Sequence, residues 1–142
     1  MGFDPATDYP IGTVRPELAT TPSGLPLAGI TLAALREGTL DPSDVRATPE
    51  TLRRQSEVAL AAGRVGLAEN LARAAELASV PAELLLEIYT ALRPDRSTAG
   101  ELDEWADRLE ELSAPLAAAF VREARAAYAA RGLLASGERT TV

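Results

Sequence analysis

Apolar positions from residue 31 onward recur at helical spacing, whereas residues 1–30 follow neither a helical nor a strand period. In "TLAALREG" Thr31 is placed to cap, Leu32 and Leu35 share a side and Gly38 stops, which predicts a short helix. "DPSDV" puts Asp41 and Pro42 where a type I turn prefers them. "ATPETLRRQSEVALAAG" predicts a longer helix. Thr48 caps, Pro49 takes the first helical position, Glu50 sits at the positive end of the dipole and reaches Arg54 at i,i+4, and Gly63 terminates. Leu67, Leu71, Ala74, Ala75 and Ala78 then keep 3.6-residue spacing, with Glu69 and Arg73 on the opposite face. Pro81 opens a helix striped by Leu84, Leu85, Ile88 and Leu92, with Tyr89 beside the stripe. Arg93-Pro94 ends it, because the residue before proline avoids helical angles. Thr98 and Glu101 are spaced for a capping box ahead of Leu102, Trp105, Ala106, Leu109 and Leu112, and Ser113 and Pro115 break that helix. The last pattern aligns Leu116, Phe120, Ala124, Ala127 and Tyr128, and Gly132 closes it.

These elements predict an all-α fold, with no strand and no internal repeat. It is a small open helical bundle over 31–134 behind a long irregular N-terminal arm over 1–30, with a polar tail over 135–142, a single domain overall. The arm poses the sharpest question. Gly24 in "TPSG" suggests a phosphate-cradling loop, but that chemistry needs a glycine-rich run with Gly-Lys-Ser/Thr opening a helix, and none follows. The alternative is an ordered arm whose Leu18, Leu25, Leu27 and Ile30 bury against something else.

Composition narrows the function. The 142 residues are one domain's worth. Hydrophobic residues make up 46% of them, but much of that is alanine, which buries little area, so the expected core is thin. The net charge of −7 and the lack of a basic stripe argue against nucleic acid as a partner. Every basic residue is arginine, so no Schiff-base or P-loop lysine exists. The chain has no cysteine and no histidine, which excludes disulfides, a thiolate nucleophile, a Ser-His pair and the usual zinc or haem ligands. No apolar run is long enough to span a membrane and the start resembles no leader, so a cytoplasmic protein without membrane partners is expected.

Only carboxylates and hydroxyls remain for chemistry. The acidic run Glu101, Asp103, Glu104, Asp107, Glu110 and Glu111 raises a metal or acid/base site. A carboxylate-bridged di-metal bundle needs inward Glu-x-x-His motifs, however, so these acids read better as a solvated helix face. Arg93 and Arg96 flank a helix start where backbone N–H groups would hold an anion, although a capped interhelical turn explains them more simply. Trp105 and Tyr89 suggest an aromatic ligand wall, but beside leucines at helical spacing they fit a core or subunit interface better.

Taken together, "YP" at Tyr9, "RPELATTPSGLPLAGITL", "DPSDVRATPETLRRQ", "AGR", "LAENLARAAELASVPAELLLEIYTALRPDRST" and "AAFVREARAAY" closely resemble the small subunit of adenosylcobalamin-dependent diol and glycerol dehydratases, from about Tyr9 to Tyr128. The resemblance implies a non-catalytic subunit of an enzyme that turns a vicinal diol such as propane-1,2-diol or glycerol into an aldehyde and water by a radical mechanism. It implies assembly with large and medium subunits as a dimer of heterotrimers, and cobalamin bound by those other subunits rather than by this chain. It also implies that the large subunit holds the arm extended over its surface. Partner contacts are accordingly expected at Arg15, Leu18, Leu25, Leu27, Ile30, Tyr89 and Trp105, with no catalytic, cofactor or metal residue. Relatives in bacterial microcompartments often carry a longer N-terminal extension, for which residues 1–8 are too short. Gly100 stands where relatives often carry a charged helix former, which weakens that helix's first turn by up to about 1 kcal/mol. An independent helical adaptor that binds a protein partner through its arm is the alternative from a different class.

Overall fold

The computed structural model describes residues 2–137. It contains seven α-helices and no strand among the described residues, so the fold is all-α as the spacing predicts. The chain divides into two compact units, with the break between Ala78 and Ser79.

The first unit holds the arm, α1 (Ile11–Val14), α2 (Leu32–Arg36), α3 (Pro49–Ala61) and α4 (Val65–Leu77). The predicted caps are in place. The Thr31 hydroxyl accepts from the Ala34 N–H and the Thr48 hydroxyl from the Thr51 N–H, with Pro49 at the first helical position. Gly63 follows α3 at φ 72°, a left-handed conformation that a side chain would strain. "DPSDV" is a 3-10 turn, Pro42–Val45, closed by a reciprocal capping box between Asp41 and Asp44. Glu50 and Arg54 pair as expected, and the Arg73 guanidinium donates to Asn70 on the preceding turn. α3 and α4 pack as a hairpin, with Ala59, Ala68 and Ala75 buried. The Ser56 hydroxyl donates to the Ala68 carbonyl at 2.7 Å, a close approach that small side chains permit.

The arm is more ordered than its sequence suggests. Besides α1 it forms 3-10 turns at Pro16–Leu18 and Leu27–Gly29, and Thr20 and Pro26 make an isolated bridge. It folds against its own unit instead of standing extended. Arg54 of α3 donates to the Leu18 carbonyl, and the Ser23 N–H points at the buried Asp44 carboxylate, 3.4 Å away. No local periodicity encodes these two ties, because each joins residues far apart in the chain.

The second unit holds α5 (Ala82–Ala91), α6 (Ala99–Glu111) and α7 (Pro115–Arg131). The Thr98–Glu101 capping box forms, and α7 ends at Gly132 in the left-handed conformation. Leu84, Ile88, Leu102, Ala106 and Leu109 are buried as the stripes predict. The stripe assigned to α7 needs correction. Leu116 and Phe120 are 50% and 44% exposed, and the buried face is Ala117, Ala118 and Val121. Those small residues let α7 lie close to α6, whereas the bulkier pair would hold the backbones apart. From the same helix the Tyr128 hydroxyl reaches the Leu92 carbonyl at 2.6 Å. The predicted polar tail begins tied down, since the Ala135 N–H donates to the Ser97 carbonyl at 2.9 Å, and its residues 138–142 lie outside the described residues.

Candidate partner interface

Four acids of the α6 run are tied into the fold, Glu101 by its capping box and Asp103, Asp107 and Glu110 by arginines. In the acidic run, Arg125 of α7 faces Asp103 at 3.2 Å, and Arg122 donates to Asp107 at 2.8 Å and to Glu110. Hydrogen bonds from Arg122 to these two carboxylates raise its pKa above the ordinary guanidinium value. Asp103, Asp107 and Glu110 therefore clip α6 to α7, and among the described residues no three acids are grouped to hold a metal. At the Arg93–Arg96 turn three N–H groups already have acceptors. Asp95 donates to the Leu133 carbonyl, Arg96 to the Arg93 carbonyl, and Thr98 to the Glu101 carboxylate at 2.8 Å. An anion binding the Thr98 N–H would have to displace the protein's own Glu101 carboxylate.

Each unit carries an open groove. The first has a volume of about 610 Å³ and runs between the arm and the α3–α4 hairpin. Tyr9, Leu18 and Leu27 line its arm side, and Val58, Leu67 and Leu71 its helix side. Arg54 and Arg64 are its charged residues, and none of its lining residues is acidic. Tyr9 is 61% exposed and joined to Pro10 by a cis peptide bond. The second groove, about 760 Å³, lies between α5 and α6, where Arg96 and Arg108 are mixed with Glu87, Glu101 and Glu104. The Arg108 guanidinium lies 5.3 Å over the Trp105 ring, a cation–π contact that leaves the indole half-buried.

The residues expected to touch a partner divide accordingly. Arg15 is turned inward on its own arm, donating to Asp8 at 3.1 Å and to Glu17. Hydrogen bonding to Glu17 raises the pKa of Arg15, and the same bond lowers that of Glu17. Leu18 and Leu25 are half-buried, with Leu25 closing a tight loop by accepting from the Thr21 N–H at 2.9 Å. Leu27, Ile30 and Tyr89 are exposed, and Leu86 next to Tyr89 on the α5 surface is more exposed still at 67%. Tyr9, Leu86 and Arg64 are surface residues that sequence reasoning passed over.

Comparison with known proteins adds what geometry alone does not supply. A family model described as dehydratase small subunit matches residues 5–135. The chain is 49% identical over 126 residues to the propanediol dehydratase small subunit of Citrobacter freundii, covering 88% of this chain and 73% of that protein. To the propanediol dehydratase small subunit of Salmonella typhimurium it is 47% identical, with the same coverage of both chains.

Proposed function

The chain belongs to the dehydratase small subunit family, and from that membership we propose that it serves as the small subunit of a propanediol dehydratase. In this reading the assembled enzyme removes water from a vicinal diol, propane-1,2-diol or glycerol, and releases an aldehyde. This chain assembles with the large and medium subunits as part of a dimer of heterotrimers, and its own contribution is structural. The observation that carries the reading is the 49% identity over 126 residues to a propanediol dehydratase small subunit. A second line of support comes from the acidic run of α6, where Glu101 closes the capping box and Asp103, Asp107 and Glu110 face Arg122 and Arg125.

Adenosylcobalamin is the cofactor this reading implies, and the residues of this chain do not fit it. There is no histidine or cysteine to meet a cobalt ion, and among the described residues no acidic cluster takes its place. The proposal therefore assigns the cofactor and its radical chemistry to the other subunits. No helix among the described residues is long and apolar enough to cross a membrane, and the proposed location is the cytoplasm or a microcompartment within it.

Co-expression with tagged large and medium dehydratase subunits tests the reading. The chain is expected to co-purify with them in a fixed ratio, and the complex to form aldehyde from propane-1,2-diol with adenosylcobalamin. The chain alone is expected to form none. Failure to co-purify, with capture of an unrelated protein instead, would favour the adaptor reading.

A further inference from the structure

We infer that the groove between the arm and the α3–α4 hairpin seats an apolar segment of a partner dehydratase subunit that carries a carboxylate, and that Arg64 receives that carboxylate. The inference rests on the proposed subunit role and specifies where and how the partner is recognised.

Sign of charge is the first argument. The chain carries 21 acidic residues against 14 basic ones, yet the lining of this groove includes two arginines and no acid. The two arginines are in different states. Arg54 is committed, donating to the Leu18 carbonyl and to Glu50. Arg64 is exposed at the start of α4, and its side chain has no hydrogen-bond or ion-pair partner among the described residues. An occupant that covers Arg64 without offering an acceptor would strand a desolvated charge, and a basic occupant would be repelled.

The walls decide the rest of the occupant. Tyr9, Leu27 and Leu67 present exposed apolar surface to the groove, and its volume of about 610 Å³ admits a few large side chains. Apolar surface of this kind beside a free guanidinium fits a segment with one or two apolar anchors and an aspartate or glutamate at the rim. The groove between α5 and α6 does not pose the same demand, because Glu87, Glu101 and Glu104 there offset Arg96 and Arg108.

The test uses the full chain with the large and medium dehydratase subunits. Arg64→Glu is expected to weaken assembly at least tenfold, and Arg64→Lys to stay within about threefold of the unsubstituted chain, both with unchanged helical circular dichroism. With Leu27 replaced by photoreactive benzoylphenylalanine, the cross-link is expected on a large- or medium-subunit peptide containing apolar residues and an aspartate or glutamate. A normally folded Arg64→Glu chain that assembles with undiminished affinity overturns the inference while leaving the subunit role standing. A cross-link to a second copy of this chain, or to a segment without an acid, overturns it equally. If the unsubstituted chain does not assemble with these subunits at all, the subunit role fails and the inference with it.

Discussion

Two carboxylates fasten the first unit's loops, and their titration is a residue-scale consequence. Asp44, 4% exposed, accepts from the Asp41 N–H at 3.0 Å and faces the Ser23 N–H. Asp8 accepts from the Asp4 N–H at 2.9 Å and from Arg15. Hydrogen bonding by the Ser23 side chain and then the Asp41 N–H lowers the Asp44 pKa below its ordinary 3.8. The Asp4 N–H is the main cause of the corresponding fall for Asp8. A depressed carboxylate contributes stability that is complete above the unfolded value and lost as pH falls through the folded one. The ties are therefore constant from pH 5 to 8 and release only in acid below about pH 3.8. In a pH titration followed by NMR, the Asp4, Ser23 and Asp41 amides should shift with midpoints below 3.8. Asp44→Asn should abolish the Ser23 transition and leave that of Asp4, while the Asp41 amide continues to report its own depressed carboxylate. Midpoints at or above the ordinary value would show that the carboxylates are solvated.

At the scale of the element, caps decide where helices begin and the small side chains decide which face they bury. Thr98 and Glu101 satisfy each other's backbone N–H groups at the start of α6, so Thr98→Ala should cost about 1 kcal/mol in urea unfolding of the chain. Two residues on, Gly100 has open space around a would-be Cβ, so Gly100→Ala should add about 0.5–1 kcal/mol. If Gly100→Ala instead destabilised the chain, a contact on that helix face would have been missed. Such caps are written in four or five consecutive residues, which is why the starts of α2, α3 and α6 were legible in the sequence. The face of α7 was not. Choosing Leu116 and Phe120 follows hydrophobicity, but the fit against α6 selects Ala117, Ala118 and Val121, and that fit depends on the neighbouring helix. The arm was legible only as irregular, because Arg54 to Leu18 and Ser23 to Asp44 are long-range pairs. Of the expected contact residues, Leu27, Ile30 and Tyr89 are surface side chains, whereas Arg15 found its partners within the arm.

At the scale of the whole chain, the distribution of charged and apolar surface predicts which changes an assembled enzyme notices. Glu104 and Glu111 are exposed, so Glu104→Gln or Glu111→Gln should leave turnover of the assembled enzyme within a few-fold. A hundredfold loss, about 2.7 kcal/mol of barrier, would place that face in the chemistry. Removing the arm should have the opposite outcome. Leu18 and Leu25 are half-buried in the first unit, and each contributes on the order of 1 kcal/mol, about half the value for a fully buried leucine. Deleting residues 9–30 also removes the Leu18 carbonyl that Arg54 holds and the arm wall of the groove. Hydrogen exchange on the truncated chain should therefore show α3 and α4 losing protection while α6 and α7 keep theirs. The latter pair has its own buried residues, Leu102, Leu109 and Val121. Assembly with the large and medium subunits, and with it aldehyde formation, should fall in parallel. Unchanged protection of α3 and α4 with assembly lost would mean that the arm acts on the partner alone, independently of the hairpin it packs against here. Intact assembly after the deletion would move the interface off the arm, with the α5 surface around Leu86 and Tyr89 the next candidate because both side chains stand exposed.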